Sequence, residues 1–390
     1  MKVVFSITYF SPYVSGLTIY AQRLAELLAK KGHEVTIICS RHDKSLPLVE
    51  PQGAHSAGAP PVTIKRIPYL WRVNKGFIMP GWIGVAWSVV KEADSVVIHL
   101  PQVEGVITAI VARLLKKPII AIYHCEVSLP TGFLNSVIGM LLEKANSVVL
   151  ALADTIVTYT QDYADHSRLL KRYKQKVKTV YPPIPVPVIN KEKRNEISKQ
   201  INRKEGEIIV GFAGRVSAEK GIEYLIEAIS VVSRRPQRKI KIIIAGPLDP
   251  VGEEEYREKI LTLVEKHKDN VVFLGSLNQK EMGAFYASID MLVLPSINST
   301  EAFGMVQVEA MMIGMPVIAS DLPGVRVPIQ ETGMGIVVPL RDSDAIANAI
   351  VEIVENRKKY VRPVGEVRNM FDIEKTGEFY EALINNPINE

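Results

Sequence analysis

The chain has 390 residues, a formal net charge of +5 and 47% hydrophobic residues, which is enough for two domains that each bury a core. Charged residues make up 23% of the sequence, the composition of a folded globular protein rather than a disordered one. The charge is modest and no basic stripe alternates with aromatic residues, so the sequence disfavours a nucleic-acid-binding protein.

The N-terminal segment predicts neither a signal peptide nor a membrane span. It lacks a basic region followed by an apolar stretch and a cleavage site. The uncharged run 3–22 is interrupted by Pro12 and Gly16, so it predicts a strand and a loop. The two cysteines, Cys39 and Cys125, end apolar runs, and we interpret them as buried, reduced thiols of a cytoplasmic protein.

The first half alternates short apolar runs with helical patterns, which is typical of parallel strands joined by crossover helices. An amphipathic helix is predicted over residues 16–31. The predicted strands are 2–7, 34–39, 62–67, 95–99, 118–123, 155–158 and 177–180.

The second half repeats this plan after a proline-rich break at 181–187, which neither a helix nor a central strand tolerates. The predicted strands are 208–213, 240–245, 271–274, 291–294, 317–319 and 335–338. The predicted helices are 222–234, 253–268, 279–288, 344–355 and 373–384.

This order predicts the α/β class, with two Rossmann-like, doubly wound parallel-sheet domains facing across a cleft. We place the first domain at 1–188, a solvated linker at 189–206 and the second domain at 207–370. A C-terminal helix within 371–390 should pack back toward the first domain. Ligands of such sheets bind at the carboxyl ends of the strands, so the cleft is the expected site.

The stretch 299–316 carries the strongest functional signal. Glu301 follows a predicted strand, and a helix is predicted to run from about Gly304 to Gly314. The amides at the start of this helix suit an anion or sugar hydroxyls; they belong to Phe303, Gly304, Met305 and Val306. Glu309 lies on the same, otherwise apolar helix, where an ionised carboxylate needs partners such as ribose hydroxyls. The alternative is that Glu301 is a surface loop acid and that Glu309 pairs with a backbone amide or a basic side chain.

A second constellation follows the strand predicted at 208–213. A small-residue turn leads to Arg215 and Lys220, and a helix opens at Gly221. Two cations at the carboxyl end of a strand suit a pyrophosphate. The alternative is a pair of solvated surface charges.

The first half offers three candidates. Gly16 lies between the first strand and the first helix, where the backbone can approach a phosphate closely. His99 and His124 each follow or end a predicted strand, so both should point toward the cleft; either could instead be a core histidine, which we favour for His99. The three spaced glycines of a dinucleotide-binding loop are absent, and this weakens a NAD-binding interpretation.

Together these features resemble the retaining glycosyltransferases of family 4, which have the GT-B fold. The resemblance covers nearly the whole chain, and its most specific part is the pair of glutamates, Glu301 and Glu309, around Phe303-Gly304. The remaining matches are 12–16, 32–35, His124, 214–221, 245–247 and 273–275. One departure is Ser15, where the family often has the first of two glycines.

The resemblance implies a metal-independent enzyme without a cofactor, whose donor is a UDP-sugar or GDP-sugar. Arg215 and Lys220 would neutralise the donor pyrophosphate and stabilise the leaving nucleoside diphosphate. Glu309 would hold the ribose, and Glu301 with the amides of 303–306 would hold the transferred sugar.

The same resemblance places the other candidates around the donor. His124 would lie beside the anomeric centre, and the amide of Gly16 near the distal phosphate. The base would rest near Pro247 and Leu277. The transferred hexose would go to a hydroxyl of a glycan or lipid-linked acceptor, bound by the first domain.

Three other functions remain open at this point. A sugar-nucleotide epimerase or a non-catalytic nucleotide-sugar-binding protein would keep the fold. A NAD-dependent dehydrogenase would need the missing glycine pattern.

The acceptor side also raises the question of membrane contact. The first half carries all three tryptophans and an apolar segment, 76–90, flanked by Arg72, Lys75 and Lys91. A basic cluster follows, formed by Arg168, Lys171, Arg172, Lys174, Lys176 and Lys178. Such features can mark contact with the anionic inner face of a membrane. The alternative is a buried helix and a solvated helix face.

Overall fold

The computed structural model describes residues 1–52, 61–73, 76–128, 132–234, 239–248 and 253–385. The chain divides into two compact units. The first unit consists of Met1–Pro183 with Ile373–Glu390, and the second unit is Ile184–Asp372.

The first unit is built on an eight-stranded sheet with the order β10-β9-β8-β7-β1-β2-β4-β3. Its neighbouring strands pair in parallel except β3, which runs antiparallel to β4. A separate hairpin joins β5 and β6. The strands are β1 (Lys2–Ser6), β2 (Glu34–Ser40), β3 (Val49–Gln52), β4 (Val62–Ile67), β5 (Trp71–Val73), β6 (Gly76–Ile78), β7 (Ser95–Leu100), β8 (Ile119–Tyr123), β9 (Thr155–Thr158) and β10 (Val177–Thr179).

Helices connect these strands, and the central strands are buried along their whole length, as expected for a parallel sheet covered on both faces. The helices are α1 (Gly16–Lys30), α2 (Trp82–Glu92), α3 (Gly105–Leu114), α4 (Phe133–Leu152) and α5 (Gln161–His166). A short 3-10 segment, Leu170–Lys176, precedes β10.

The second unit has a six-stranded parallel sheet with the order β13-β12-β11-β14-β15-β16. Its strands are β11 (Glu207–Ala213), β12 (Lys239–Ala245), β13 (Val271–Gly275), β14 (Met291–Leu294), β15 (Val317–Ser320) and β16 (Gly335–Val338). Its helices are α6 (Lys191–Ile201), α7 (Ile222–Ser233), α8 (Glu254–Lys266), α9 (Gln279–Tyr286), α10 (Met305–Met311), α11 (Val327–Thr332), α12 (Ser343–Glu355) and α13 (Val364–Met370).

The predicted fold class is confirmed: both units are doubly wound α/β layers. The strand order of the second unit reverses between β11 and β14, which is the point where ligands of such sheets bind.

The segment expected to be a solvated linker, 189–206, instead contains α6 and lies within the second unit. Asn190 caps this helix, and Ile197 and Ile201, four residues apart, are its buried side chains. One apolar contact per turn is enough to dock an otherwise polar helix, and a composition-based prediction misses so narrow a stripe.

The short strands β3, β5 and β6 of the first unit were not predicted. Strand β3 contains Pro51 and lies at the edge of the sheet, the position where a strand tolerates proline. The apolar segment 76–90, expected to be one stretch, is divided between β6 and α2.

Cys39 is buried as predicted, but Cys125 is only partly buried because it lies in the loop after β8.

The last helix, α14 (Ile373–Asn385), packs on α1 within the first unit. The hydroxyl groups of Tyr20 and Tyr380 lie 2.6 Å apart and both rings are fully buried. A Cβ atom on Gly377 would lie 3.0 Å from the Leu27 side chain, so the absence of a side chain allows the two helices to approach closely. Glu381 adds an ion pair with Lys31 at 3.3 Å.

None of the helices within the described ranges combines the length and the apolar sequence needed to cross a bilayer.

Candidate functional site

The candidate residues of the second unit all follow the carboxyl ends of neighbouring strands. Arg215 follows β11, Pro247 follows β12, Leu277 follows β13 and Glu301 follows β14. Because these strands are adjacent and parallel, their loops share one edge of the sheet. Pro247 is exposed and Leu277 is partly buried.

Glycines bring the loops after β11 and β12 into contact. Gly246 has a φ of +151°, and a Cβ atom there would lie 1.9 Å from the carbonyl oxygen of Gly214. The amide of Val216 then donates to the carbonyl of Pro247 at 3.1 Å. A side chain at position 246 would push these loops apart, so glycine is required there.

A second close approach joins the loop after β11 to the loop after β14. Gly221 has a φ of +60°, and a Cβ atom would lie 2.4 Å from the carbonyl oxygen of Pro295. The amide of Ile297 donates to the carbonyl of Glu219 at 3.0 Å. As a result the Nζ atom of Lys220 lies 2.5 Å from Oε2 of Glu301, so residues 81 positions apart form one ion pair.

Arg215 is held in a similar way. Its Nη2 atom lies 3.1 Å from Oε1 of Glu219. Burial by itself favours the neutral form of Glu219, but hydrogen bonds to its carboxylate and the charges of Arg215 and Lys220 outweigh burial and lower its pKa. The side chains of Arg215 and Lys220 are 30% and 20% exposed. These are positioned cations rather than freely solvated surface charges.

The helix after Glu301 begins one residue later than predicted and ends three residues earlier, at Met305 and Met311. Gly304 caps it with a φ of +75°, and a Cβ atom would lie 2.3 Å from the Leu294 side chain. The last turn is tightened by hydrogen bonds from Ile313 to Ala310 and from Gly314 to Met311, which ends the α-helical pattern early.

Gln307 supports this turn, and sequence analysis did not select it. Its side chain is fully buried, and its amide nitrogen donates to the carbonyl oxygens of Phe303 and of Val325, the latter at 2.9 Å. Phe303 is itself buried against Phe371. A polar residue inside an apolar helix was the signal that could have identified Gln307.

Glu309 is 7% exposed, and Oε2 of its carboxylate accepts a hydrogen bond from the Tyr286 hydroxyl at 2.7 Å. Tyr286 ends α9 and was not selected from the sequence. A charge-assisted hydrogen bond of this kind is what a buried carboxylate requires. This oxygen is therefore held by a tyrosine hydroxyl, a partner that differs from the backbone amide or basic side chain of the alternative interpretation.

In the first unit, Gly16 is the exposed first residue of α1. Ser15, which departs from the family pattern, is the N-cap: its hydroxyl accepts from the amide of Thr18, whose hydroxyl in turn accepts from the amide of Ser15 at 2.8 Å. The serine therefore stabilises the start of the helix in the way a capping box does.

His124 follows β8 and is 3% exposed. Its Nε2 atom lies 2.9 Å from Nδ1 of His99, and its Nδ1 atom lies 2.5 Å from the Tyr159 hydroxyl. Burial lowers the pKa of His99 to about 3. Burial, together with His99, lowers the pKa of His124 well below its usual value. Both rings are therefore neutral near pH 7.

Among the residues that the structure describes, no three histidines, cysteines or acids are grouped so that they could hold an ion.

Comparison with protein families matches both halves of the chain. The model described as Glycosyltransferase Family 4 matches residues 14–186, and the model described as Glycosyl transferases group 1 matches residues 193–370. Together the two matches leave out only residues 1–13, 187–192 and 371–390.

Individual relatives agree with these matches. An uncharacterised glycosyltransferase of Methanocaldococcus jannaschii is 27% identical over 88% of this chain and 86% of that protein. The alpha-monoglucosyldiacylglycerol synthase of Streptococcus pneumoniae is 25% identical over 82% of this chain and 71% of that protein.

Solved structures match the fold over almost the full length. The structure of Anabaena HepE in complex with UDP has a TM-score of 0.75 and 18% identity, over 99% of this chain and 100% of that chain. The chain is therefore a glycosyltransferase of the GT-B fold, whose first half matches the family 4 model and whose second half matches the group 1 model.

Proposed function

We propose that the protein is a retaining glycosyltransferase that moves a hexose from a nucleoside-diphosphate sugar to a hydroxyl acceptor without a metal ion. The observation that supports this most directly is the set of two partly buried cations, Arg215 and Lys220, at the point where the strand order of the second unit reverses. A diphosphate carries the charge that such a pair would bind.

The cations would act mainly on the leaving group. Transfer breaks the bond between the anomeric carbon and a phosphate oxygen, so negative charge develops on the nucleoside diphosphate. Lys220 and Arg215 are held in place by Glu301 and Glu219 before any donor binds. Preorganised charges stabilise a transition state without reorganising during the reaction, and in this role they would replace a divalent ion.

Other residues of the second unit would orient the donor. Oε2 of Glu309 is held by Tyr286, and the carboxylate would accept from the ribose hydroxyls. Glu301 and the amides of 303–306 would hold the sugar, and the base would lie by Pro247 and Leu277. UDP in the HepE structure supports a UDP-sugar as the first donor to test, with a GDP-sugar as the alternative.

The first unit would bind the acceptor. An aromatic cluster lies beyond the carboxyl ends of β1, β2 and β4: the Tyr9 ring is 4.6 Å from that of Tyr13, 5.7 Å from that of His42 and 5.2 Å from that of Phe77. Glu104, whose pKa is raised by burial, lies close to Tyr9. Aromatic faces beside a carboxylate suit a sugar ring with free hydroxyls.

The first unit also carries a surface suited to an anionic membrane. On α4, five exposed apolar side chains recur at helical spacing: Phe133, Val137, Met140, Leu141 and Val148. The basic 3-10 segment contacts this helix, because the Tyr173 hydroxyl lies 3.0 Å from that of Ser147. Exposed apolar residues beside lysines and arginines favour peripheral binding.

This surface differs from the one expected from the sequence. In α2, Ile83 and Trp87 are exposed, but Trp82 is fully buried, and Lys75 lies outside the described residues. The name of the S. pneumoniae relative, alpha-monoglucosyldiacylglycerol synthase, supports a lipid-linked acceptor. We therefore propose that the protein acts at the inner face of the cytoplasmic membrane.

The donor assignment is tested by thermal unfolding with UDP-, GDP- and ADP-sugars in excess EDTA. A ligand that binds the native state at 100 times its Kd should add about 2.7 kcal/mol of stability.

With a radiolabelled donor, we expect the sugar in an acceptor product with unchanged anomeric configuration. An epimerised nucleotide sugar would instead indicate an epimerase, and binding without turnover a non-catalytic protein. Complete, magnesium-reversible inhibition by EDTA would contradict metal independence.

Arg215→Ala and Lys220→Ala should each lower kcat by about 100-fold or more, the range seen when an electrostatic group of the transition state is lost. The KM for donor should rise much less. The double variant should lose less than the product of the single losses, because both residues serve one diphosphate. Steady-state kinetics measure this, with Lys259→Ala as the control, since Lys259 also pairs with a glutamate of the second unit. Normal kcat in a folded single variant would exclude that residue from the mechanism.

Glu309→Gln should weaken donor binding by roughly 1.5–3 kcal/mol, the value of a hydrogen bond to a charged group. Calorimetry with the donor measures this. Glu352→Gln is the matched control, because Glu352 also accepts from a tyrosine hydroxyl, that of Tyr360 at 2.9 Å. Equal affinities of the wild type and a folded Glu309→Gln variant would rule out the ribose contact.

Replacement of Met140 and Leu141 by glutamate should reduce binding to phosphatidylglycerol vesicles by roughly tenfold or more, since burying one large apolar side chain contributes about 1.5–3 kcal/mol. Vesicle sedimentation measures the bound fraction. Leu261→Glu, at an exposed apolar position of the second unit, is the control. Unchanged binding of the double variant, or no binding of the wild type, would exclude this surface.

A further inference from the structure

The buried network around His124 contains groups that the proposed mechanism does not use. The ring of His124 is stacked on that of His99, with centroids 5.2 Å apart and planes 13° apart. On its other side the Tyr20 ring meets it edge-on at 4.9 Å. Both ring nitrogens of His124 are engaged, one by His99 and one by Tyr159. These contacts fix the imidazole in position and direction.

The hydrogen bonds also select a tautomer. Two proton arrangements can satisfy the hydrogen bonds that join Tyr159, His124 and His99. They differ in whether Nε2 of His99, at the end of this series, carries a proton. Nε2 of His99 is buried and finds no hydrogen-bond partner among the described residues. Unpaired buried N–H groups are the rarer kind in proteins, so we assign this nitrogen as unprotonated. His99 then donates from Nδ1 to Nε2 of His124, and His124 donates from Nδ1 to the Tyr159 oxygen.

This arrangement makes His124 a poor acid or base. Both rings are neutral near pH 7, because burial lowers their pKa values. Neither ring nitrogen of His124 has a free hydrogen-bonding site for a substrate proton. His124 would therefore contribute to transfer through the position of its ring, and not by accepting or donating a proton.

The C-terminal helix reaches this network from the far end of the sequence. Tyr380 of α14 hydrogen-bonds Tyr20, which forms one wall of the His124 site. Tyr20 lies on the second turn of α1, the helix that starts at Gly16. Gly377, one turn before Tyr380, allows α14 to approach α1 closely. Helix α14 therefore supports both the helix that starts at Gly16 and the surroundings of His124.

We propose that His99 and Tyr380 are positioning residues, which hold the His124 imidazole in one tautomer and orientation for sugar transfer. His99 acts through a direct hydrogen bond, and Tyr380 acts through Tyr20. This inference rests on the proposed function, since it assumes that His124 lies beside the transferred sugar.

The tautomer is read directly by two-bond hydrogen–nitrogen NMR spectra of protein labelled with nitrogen-15 histidine. We expect His99 and His124 to be protonated on Nδ1 and to remain neutral at pH 6. His99→Leu should change the signature of His124, whereas His99→Asn should preserve it, because the asparagine amide nitrogen replaces Nδ1 as donor. Protonation of His124 on Nε2 in the wild type would overturn the assignment.

The role in transfer is tested with the same variants and the donor selected by thermal unfolding. His99→Leu should lower kcat by roughly 10- to 100-fold, the cost of a misplaced group in an active site, with the Kd for UDP unchanged within about twofold. His99→Asn should recover most of the activity. Tyr380→Phe should lower kcat less than His99→Leu, and Tyr360→Phe, which removes a tyrosine hydroxyl in the second unit, should have no effect.

The outcomes separate the inference from the proposed function. Unchanged kcat in a folded His99→Leu variant would overturn the positioning role while transfer itself stands. Failure of the wild type to bind any nucleotide sugar would instead overturn the proposed function, and with it the positioning role, whereas the tautomer spectra would still report the hydrogen bonds. Loss of UDP affinity in His99→Leu would show general damage and would also count against positioning.

Discussion

The close approach of the strand-end loops in the second unit is the constraint on which its site depends. Strands β11 and β14 are neighbours in the sheet, although 77 residues lie between the end of β11 and the start of β14. The loops that follow these two strands meet where Gly221 contacts Pro295. Only a residue without Cβ fits there. The Lys220–Glu301 ion pair is a consequence of this backbone contact.

Burial then determines how the charges of the site behave. A cation or carboxylate removed from water needs a partner, and each described charge at this edge has one: Arg215 with Glu219, Lys220 with Glu301, and Glu309 with Tyr286. These pairs hold the groups in position. Under the proposed function Glu301 serves two purposes, because it orients Lys220 and would also contact the transferred sugar.

The first unit uses neutral groups instead. Among the described residues, no carboxylate lies at the ring nitrogens of the buried His99 and His124. Burial therefore lowers their pKa values, and their orientation depends on hydrogen bonds to each other and to Tyr159. Aromatic contacts from Tyr20 complete the enclosure. The difference between the units follows the chemistry we assign to them: charge stabilisation in the second and placement of a sugar in the first.

Much of this protein could be predicted from the order of its residues alone. Local hydrophobic patterns determined nearly every central strand, because a strand buried on both faces is an apolar run, and β4, β9, β14 and β16 have the predicted bounds. The glutamate block and the cationic loop identified the enzyme family. The tertiary structure decided the hydrogen-bond partners. They are Tyr286 for Glu309, Gln307 for the Phe303 carbonyl, His99 for His124 and Tyr380 for Tyr20. Each pair joins groups from different elements or turns, and a one-dimensional pattern does not give the distance between them. The position of helix α6 was likewise decided by the tertiary structure. Its two buried isoleucines, Ile197 and Ile201, can dock the helix only where an apolar surface lies opposite them.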